Sequence, residues 1–246
     1  LATSSAATQL NLGYLVDQPP GSAQRGRYRG SGFELRTDAW AVLRGGEGVL
    51  LSTSARADGA STQMDAAEAL SLFKGARSLN DAMAGASSQQ QALFSKEAAQ
   101  AQADFMEQID PLAKGRYAGA VGGQPALKAR EGTRELDAGQ PVEKFGAAIV
   151  LMDAAAGINW ATPASTVIYA GQQLHWTTQS DLHMTAAHTV STVAGQAAGL
   201  FTHGGGIQAI AANGPVSLQA HTDQLEILAE GAVTVISVND GIEIKA

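Results

Sequence analysis

Residues 216–227 read VSLQAHTDQLEI, and this stretch decides the class of fold. Apolar and polar side chains alternate on both sides of the turn pair Thr222-Asp223. The apolar positions are Val216, Leu218, Ala220, Leu225 and Ile227. Alternation with a period of two is typical of strands that have one apolar face and one wet face. The stretch therefore predicts two short strands joined by a tight turn.

The same pattern recurs from about Ile149 to the end of the chain. Its other apolar pairs are Val167 with Tyr169, Leu174 with Trp176, Leu182 with Met184, Ile207 with Ala209, Val233 with Val235, and Ile242 with Ile244. Turn residues separate the pairs at roughly eight- to ten-residue spacing, as in stacked strand repeats. Residues 149–246 are therefore predicted to form a β-helix or β-prism.

Composition indicates that one chain cannot close this structure alone. Aromatic residues make up only 5% of the chain and 28 of its 246 residues are glycine, so each strand has little apolar area to bury. Three chains wound together would bury the apolar faces along a common axis and would pair strand edges that otherwise aggregate. The predicted fold class is mainly β, as an intertwined trimeric β-helix or β-prism with an inserted helical hairpin.

The helical insertion is visible as a change of period. A first helix is expected to begin at an approximate capping box, Thr62 with Asp65, and to break at Gly85-Ala86-Ser87-Ser88. Its apolar stripe is Ala66, Leu70, Phe73, Ala76, Leu79 and Met83, and a second stripe, which Pro111 stops, is Phe94, Ala98, Ala101, Phe105 and Ile109. The predicted regions are N-terminal strands over 1–60, the hairpin over 61–110, a linker or loop over 111–148, and the C-terminal β-helix over 149–246.

The N-terminal strands carry a long motif. Residues 31–53 read SGFELRTDAWAVLRGGEGVLLST, and QLNLGYL precedes them at residues 9–15. Both segments resemble the C-terminal domain of VgrG proteins, the spike proteins of type VI secretion systems. The Ala161-Thr162-Pro163 segment, the Gly204–Ile207 turn and the Ile242–Lys245 segment are similar to the repeats of that family and occur in the same order.

This resemblance implies a homotrimer whose shaft is a triple-stranded β-helix, similar to the tail spike of phage T4. It implies a spike that is assembled in the bacterial cytoplasm and injected into a target cell by the secretion system. The implied partners are an effector or adaptor protein, a PAAR-type tip protein and the Hcp tube. The family carries further modules upstream, and the missing initiator Met leads us to expect a piece of a longer chain.

The helical hairpin and its flanking loop, Ser61 to Lys144, are the predicted docking site for the effector or adaptor. Regular, wet repeats encode a specific partner poorly, whereas the hairpin combines aromatic and basic residues of the kind that interface centres favour. The residues expected near its surface are Lys74, Arg77, Leu79, Phe94 and Phe105. The side chains of Phe73, Phe94 and Phe105 are expected mainly in the core, with an effector-facing surface as their alternative. The alternative for the hairpin as a whole is that it only braces the trimer.

No catalytic, metal-binding or cofactor-binding residue is predicted, and we expect a protein that is not an enzyme. The five histidines, His175, His183, His188, His203 and His221, lie in the repeats and are expected on wet strand faces. His183 and His188 with Asp181 are the weaker alternative, a metal site, but the chain has no His-Glu-x-x-His spacing. Ser71 and Lys74 match Ser-x-x-Lys by chance, since the partner motifs are missing.

Charge and composition argue against two classes of partner. From Gly157 onward there are six acidic residues and one lysine, a net charge of −5 within a total of −7, which repels nucleic acid and anionic lipid. The short basic cluster Arg25, Arg27 and Arg29 is interpreted as a solvated loop, and the Gly45–Gly48 cluster lacks the Lys-Ser/Thr of a phosphate-binding loop. No membrane anchor is expected, and a chain without cysteine tolerates reducing and oxidising compartments.

Two other classes share parts of this pattern. A single-chain β-helix enzyme that cleaves polysaccharides would have a similar number of strands, but it would need an acidic calcium cluster and a catalytic base on one face. A trimeric surface adhesin would share the β-prism, but it would need a signal peptide and a membrane anchor. Measuring the mass in solution separates a monomeric enzyme from a trimer.

Overall fold

The computed structural model describes residues 2–3, 6–17, 23–55, 64–93, 97–109, 116–121, 124–127 and 145–245. Its elements are β1 (Ala2–Thr3), β2 (Thr8–Val16), β3 (Tyr28–Arg36), β4 (Val49–Ser52), α1 (Ala67–Gln89), α2 (Glu97–Ile109), β5 (Arg116–Val121), β6 (Gln124–Leu127) and β7 (Val150–Asp153). The chain divides into two units, residues 1–199 and 200–246, and each is described by itself.

The first sheet has the order β1-β2-β3, with antiparallel pairing throughout. Leu12 lies opposite Phe33, and Leu10 lies opposite Leu35. Because directly opposed residues point to the same side of a sheet, these four side chains share one face. That face is exposed in the described chain, so the sheet has an apolar surface with no covering layer.

The basic cluster borders this hairpin, and its interpretation as a solvated loop was wrong for Arg29, whereas Arg27 lies outside the strands with its side chain 85% exposed. Arg29 lies in β3 and donates to both carboxylate oxygens of Glu34, with the shorter contact at 2.8 Å. Asp17 lies 3.6 Å from Arg27 and 3.5 Å from Arg29. Antiparallel pairing brings Asp17, directly after β2, beside the arginines, whereas Glu34 lies in the same strand as Arg29.

A parallel pair joins the N-terminal strands to the repeats. β4 pairs with β7 in a register that places Val49 beside Val150. The buried carboxylate of Asp153 accepts hydrogen bonds from the hydroxyls of Ser52 at 2.9 Å and Ser54 at 3.1 Å. Parallel strands require a long crossover between them, and α1 and α2 lie within that crossover.

Gly48 allows the side chain of Phe145 to lie close to the start of β4. Its φ of +133° is unfavourable for residues with a side chain, and a Cβ there would lie 2.7 Å from Cδ2 of Phe145. The backbone N–H of Val49 donates to the carbonyl of Ile149 at 2.9 Å, directly beside this contact. The glycine therefore lets Phe145 pack where the chain returns to β4.

The first helix is longer than expected. The predicted break at residues 85–88 was wrong, because α1 continues to Gln89. It ends in a Schellman motif: Gln91 has a φ of +54°, its N–H donates to the Ser88 carbonyl, and the N–H of Ala92 donates to the Ser87 carbonyl. Glycine usually takes the position of Gln91, so the end of the helix had no glycine to mark it.

The start of α1 also differs from the predicted capping box. The helix begins at Ala67, where Asp65 Oδ1 accepts from the backbone N–H at 3.1 Å, and the cap residue Ala66 has no side-chain cap. Thr62 lies outside the described residues. The carboxylate of Asp65 stabilises the first turn in place of the expected reciprocal pair.

The segment predicted as a linker contains a short antiparallel pair. β5 and β6 are hydrogen-bonded with Val121 opposite Gln124. Gly122-Gly123 lies between them in the sequence, a two-residue combination that favours hairpins. That signal was available, but the many glycine, proline and charged residues around it led us to predict a loop.

A regular zigzag fills residues 154–199, which we call the first repeat stretch. Between short extended runs, the chain bends at residues 155–156, 163–164, 171–172, 179–180, 187–188 and 195–196, a spacing of eight residues. Residues eight apart therefore occupy equivalent positions, as Leu174 and Leu182 do with 54% and 60% exposure. This is the repeat that the alternating sequence predicted.

The repeat corrects one predicted strand face. Val167 and Tyr169, predicted on the apolar face, are 86% and 89% exposed, whereas Ile168 is 49% exposed. Counting back eight residues from Trp176 gives Ile168, so Ile168 shares the face of Trp176 and its two neighbours lie on the other side. Three adjacent apolar residues left the parity of this strand ambiguous in the sequence.

The second repeat stretch, residues 200–245, has wider spacing. It bends at residues 203–205, 212–214, 221–223, 230–231 and 238–240, and the ends of these bends are nine, nine, eight and nine residues apart. Equivalent positions are occupied by Ile207, Val216, Leu225, Val233 and Ile242, which are all between 56% and 59% exposed. The predicted apolar pairs therefore occupy matching places in successive repeats.

The backbone N–H and carbonyl groups of both repeat stretches lack hydrogen-bond partners from the backbone of the described chain. Among the described residues from 156 to 245, no backbone N–H bonds to a backbone carbonyl of the chain. One copy alone thus leaves both strand edges and apolar side chains exposed to water.

Candidate docking surface on the helical hairpin

The base of the helical hairpin is fixed by the buried core of the chain. Leu70 near the start of α1 and Ile109 at the end of α2 pack with Phe145 and Leu151. Ile109 is 1% exposed and is the largest fully buried side chain among the described residues. The core thus joins both ends of the hairpin to the β4–β7 pair.

Aromatic stacking holds the two helices together. The rings of Phe73 and Phe105 have centroids 6.1 Å apart and planes inclined by 19°. This contact agrees with assigning these two residues to the helix–helix core, although Phe105 stays 46% exposed. Phe94, the third predicted aromatic, lies outside the described residues.

The middle of the hairpin is attached to the first repeat stretch through one hydroxyl group. Thr177 Oγ1 accepts hydrogen bonds from Nε2 of Gln102 at 3.1 Å and from Nδ2 of Asn80 at 3.4 Å. Each helix therefore contributes one of the two donors. A Cβ on Gly75 would lie 2.7 Å from Nε2 of Gln179, so α1 approaches the repeat closely at this level.

The tip of the hairpin also contacts the first repeat stretch. A Cβ on Gly199 would lie 2.9 Å from Cβ of Leu93, just beyond the end of α1. The hairpin is therefore attached near Leu151 at its base, near Thr177 in the middle and near Gly199 at its tip. Sequence reasoning missed the last two contacts, because neither a threonine nor a glycine in a repeat stands out from its neighbours.

The other sides of α1 face solvent. Lys74 and Arg77, two residues of the predicted docking site, are exposed, and Arg77 pairs with Asp81 at 3.7 Å. Leu79 is half-buried, whereas Leu72 is 62% exposed. The hairpin thus combines a side attached to the repeats with a charged outer side.

The residues considered for chemistry are dispersed. Four of the five histidines are exposed and His175 is half-buried, and within the described ranges no three His, Asp or Glu side chains come together as a metal site. His175 Nε2 contacts Oε1 of Gln173 at 2.8 Å, a local bond within one strand run. Ser71 and Lys74 are both exposed on α1. That the chain is not an enzyme remains a prediction.

The described helices contain no segment long and apolar enough to span a bilayer.

Two family models match the chain. The model described as "Putative type VI secretion system Rhs element Vgr" covers residues 1–87. The model described as "Uncharacterized protein conserved in bacteria (DUF2345)" covers residues 137–246. The first contains the 31–53 motif and the second contains both repeat stretches.

Two curated relatives come from Pseudomonas aeruginosa. The type VI secretion system spike proteins VgrG2b and VgrG2a are 27% and 28% identical to the chain over 235 residues, 96% of its length. The chain spans 21% of the first relative and 25% of the second, so it corresponds to about a quarter of each or less.

Two solved structures resemble this chain. One is the VgrG spike from the type 6 secretion system, and the other is the Tle1 effector bound to that spike. Each match has a TM-score of 0.76 at 25% identity and covers 97% of this chain, with 75% and 61% of the matched chains covered. The chain is similar to VgrG spike proteins of type VI secretion systems over almost its whole length. The predicted resemblance is thereby confirmed, and the mainly β fold class agrees with these structures.

Proposed function

We propose that this chain forms the shaft of a homotrimeric type VI secretion spike, that it carries an effector or adaptor protein, and that it has no catalytic role. The observation that carries the proposal is the state of residues 156–245: regular extended repeats without backbone pairing in one copy, with an apolar residue half exposed at matching positions. Such a chain needs partners with the same repeat.

Physical reasons favour three interlaced copies. Unpaired backbone groups cost free energy when they are buried, so the apolar faces can be covered only if the strand edges are paired at the same time. Identical repeats related by rotation meet both needs in every repeat. An intertwined β-helix of three chains is the arrangement that supports this function.

The other proposed partners and the cellular location are those that the resemblance to VgrG proteins implies. We infer assembly in the bacterial cytoplasm, contact with an Hcp tube and a PAAR-type tip protein, and injection into a target cell. Support comes from the names of the relatives, which are type VI secretion spike proteins. The chain covers only part of them. Its net charge of −7 disfavours binding to nucleic acid.

The hairpin has two roles in this proposal. Its attached side, with Asn80 and Gln102 on Thr177, braces the first repeat stretch. Its outer side, with Lys74 and Arg77 exposed, docks the cargo. A related spike has been solved with the effector Tle1 bound, which supports an effector as the class of cargo.

The oligomeric state tests the structural part. Multi-angle light scattering at micromolar concentration is expected to give three times the chain mass of 25.2 kDa. Resistance to dissociation by SDS is expected as well, because interlaced chains have to unwind together. A monodisperse monomer would contradict the proposal and would favour the single-chain enzyme.

Effector capture tests the docking part. Deleting residues 62–110 would remove Leu70 and Ile109 from the core and expose Leu151, so a surface variant is more informative. We expect Lys74→Glu with Arg77→Glu to lower effector capture from the secreting cell at least about tenfold, about 1.4 kcal/mol of binding free energy, while the trimer stays intact. Arg25→Glu, also at an exposed position, is the matched control. Unchanged capture by the double variant would mean that the hairpin serves only as a brace.

A further inference from the structure

The N-terminal sheet has one polar face with its partners and one apolar face without them. On the polar face, Asn11 Nδ2 donates to Glu34 Oε2 at 2.7 Å, and Arg29 binds the same carboxylate. The opposite face carries Leu10, Leu12, Tyr14, Phe33 and Leu35, all at least 47% exposed. An exposed apolar patch of this size marks an interaction surface.

A second apolar feature lies just beyond this sheet. Trp40 is 97% exposed and Val42 is 77% exposed, in the extended stretch between β3 and β4. Residues 40–44 form no hydrogen bond with the described part of the chain. A large indole that touches almost nothing in its own chain is poorly placed for a monomer but well placed to anchor a contact with a partner.

We propose that Trp40 and Val42 of one copy pack on the apolar face of β2 and β3 of a neighbouring copy. The N-terminal region then forms an interface between copies that is separate from the repeats. This inference rests on the proposed trimer and adds to it the surface through which the N-terminal regions recognise each other.

Symmetry and area favour a second copy as the occupant. Trp40 does not cover the face of its own chain, so the two features are different patches of the same surface. Under three-fold rotation, each copy contributes Trp40 to one neighbour and receives Trp40 from the other, and the contact closes into a ring. At each contact, Trp40 of one copy with Phe33, Tyr14 and Tyr28 of the other offers on the order of 600 Å² in total, and the aliphatic residues of both copies bring this near the lower end of the roughly 1,200–2,000 Å² that stable interfaces bury in total.

Cysteine cross-linking tests this interface directly, because the chain has no cysteine of its own. Trp40→Cys would be combined in turn with Leu10→Cys, Leu12→Cys, Phe33→Cys and Leu35→Cys, and a short bismaleimide linker would be added to the purified full chain. Val42→Cys replaces Trp40→Cys if loss of the indole prevents folding. Trp40→Cys with Glu34→Cys, on the polar face of β3, is the control.

Covalent trimer on a denaturing gel is expected for at least one of the four pairs, with no more than a trace for the control pair. Only intrachain products from a protein that light scattering shows to be a trimer would overturn this inference and leave the proposed function standing. Cross-linking of Trp40→Cys only to a molecule that co-purifies with the chain, and not to another copy of it, would overturn the inference equally. Monomer before any cross-linker is added would instead contradict the proposed trimer.

Discussion

Thr177 Oγ1 lies 3.1 Å from Nε2 of Gln102, and this contact attaches α2 to a repeat that is otherwise exposed. Gln102 is 7% exposed, and its Oε1 has no hydrogen-bond partner in the described structure. Asn80 of α1 donates to the same hydroxyl at 3.4 Å. One threonine therefore holds both helices, and a buried amide depends on it.

Replacing Thr177 with valine should loosen the hairpin. Valine keeps the shape but removes the acceptor, which leaves the buried amide of Gln102 without a partner at either end, at a cost of about 1–3 kcal/mol. Faster hydrogen exchange in α2 than in the parent chain is the expected measurement. Thr185→Val is the matched control, because Thr185 occupies the equivalent position one repeat later and is exposed. Equal exchange in both variants would show that Thr177 does not hold the helices.

Adding a methyl group at Gly199 should displace the tip of the hairpin. A Cβ there meets Leu93 Cβ at 2.9 Å, so Gly199→Ala has to push the tip away, and overpacking of this kind costs about 1–3 kcal/mol. Limited proteolysis with mass spectrometry should detect faster cleavage near Leu93. Gly195→Ala is the control, since a Cβ there meets nothing within 4 Å. The prediction is wrong if both variants are cleaved at the parent rate.

A carboxylate on the repeated apolar face should prevent assembly. In a trimer, Ile227→Asp would place three carboxylates at one level of a dry core, where desolvation and repulsion both oppose burial. Light scattering should show loss of the trimer. Gln219→Glu, on the other side of its strand, should assemble normally. So should Glu243→Gln, which only breaks the exposed 2.7 Å pair with Lys245, typically worth 0–1 kcal/mol. If all three variants assemble equally well, Ile227 does not lie on the buried face and the assignment of the strand faces is wrong.

The N-terminal sheet should weaken in acid through Glu34. The hydrogen bonds that Arg29 donates lower the pKa of Glu34 below its ordinary 4.5, and the bond from Asn11 lowers this pKa further. Because the pKa is lowered in the folded chain, the stabilisation is present above the unfolded value and is lost as the pH falls through the folded value. Thermal unfolding from pH 6 to pH 3 should therefore show a steeper fall for the parent chain than for Glu34→Gln. Glu47→Gln, at an exposed site, should behave like the parent.

Local pattern in the sequence determined what each segment is. Alternation around residues 216–227 predicted extended repeats, and the three-to-four spacing of apolar residues predicted two helices where α1 and α2 lie. The motif over residues 31–53 indicated the VgrG family, which the comparisons confirmed. These features depend on neighbouring residues, whose periodicity is set by the geometry of a helix or a strand.

Only the tertiary structure decided how those segments meet. The hydrogen bond between Ser52 and Asp153 joins residues 101 positions apart. Thr177 does not differ in sequence from the other threonines of the repeats, and only the structure shows that Asn80 and Gln102 of the two helices donate to it. The end of α1 at Gln89, where Gln91 adopts a left-handed conformation, and the strand parity of Val167 also depend on the surrounding structure. Contacts across such distances depend on packing and on the geometry of the returning chain, and no periodicity between adjacent residues encodes them.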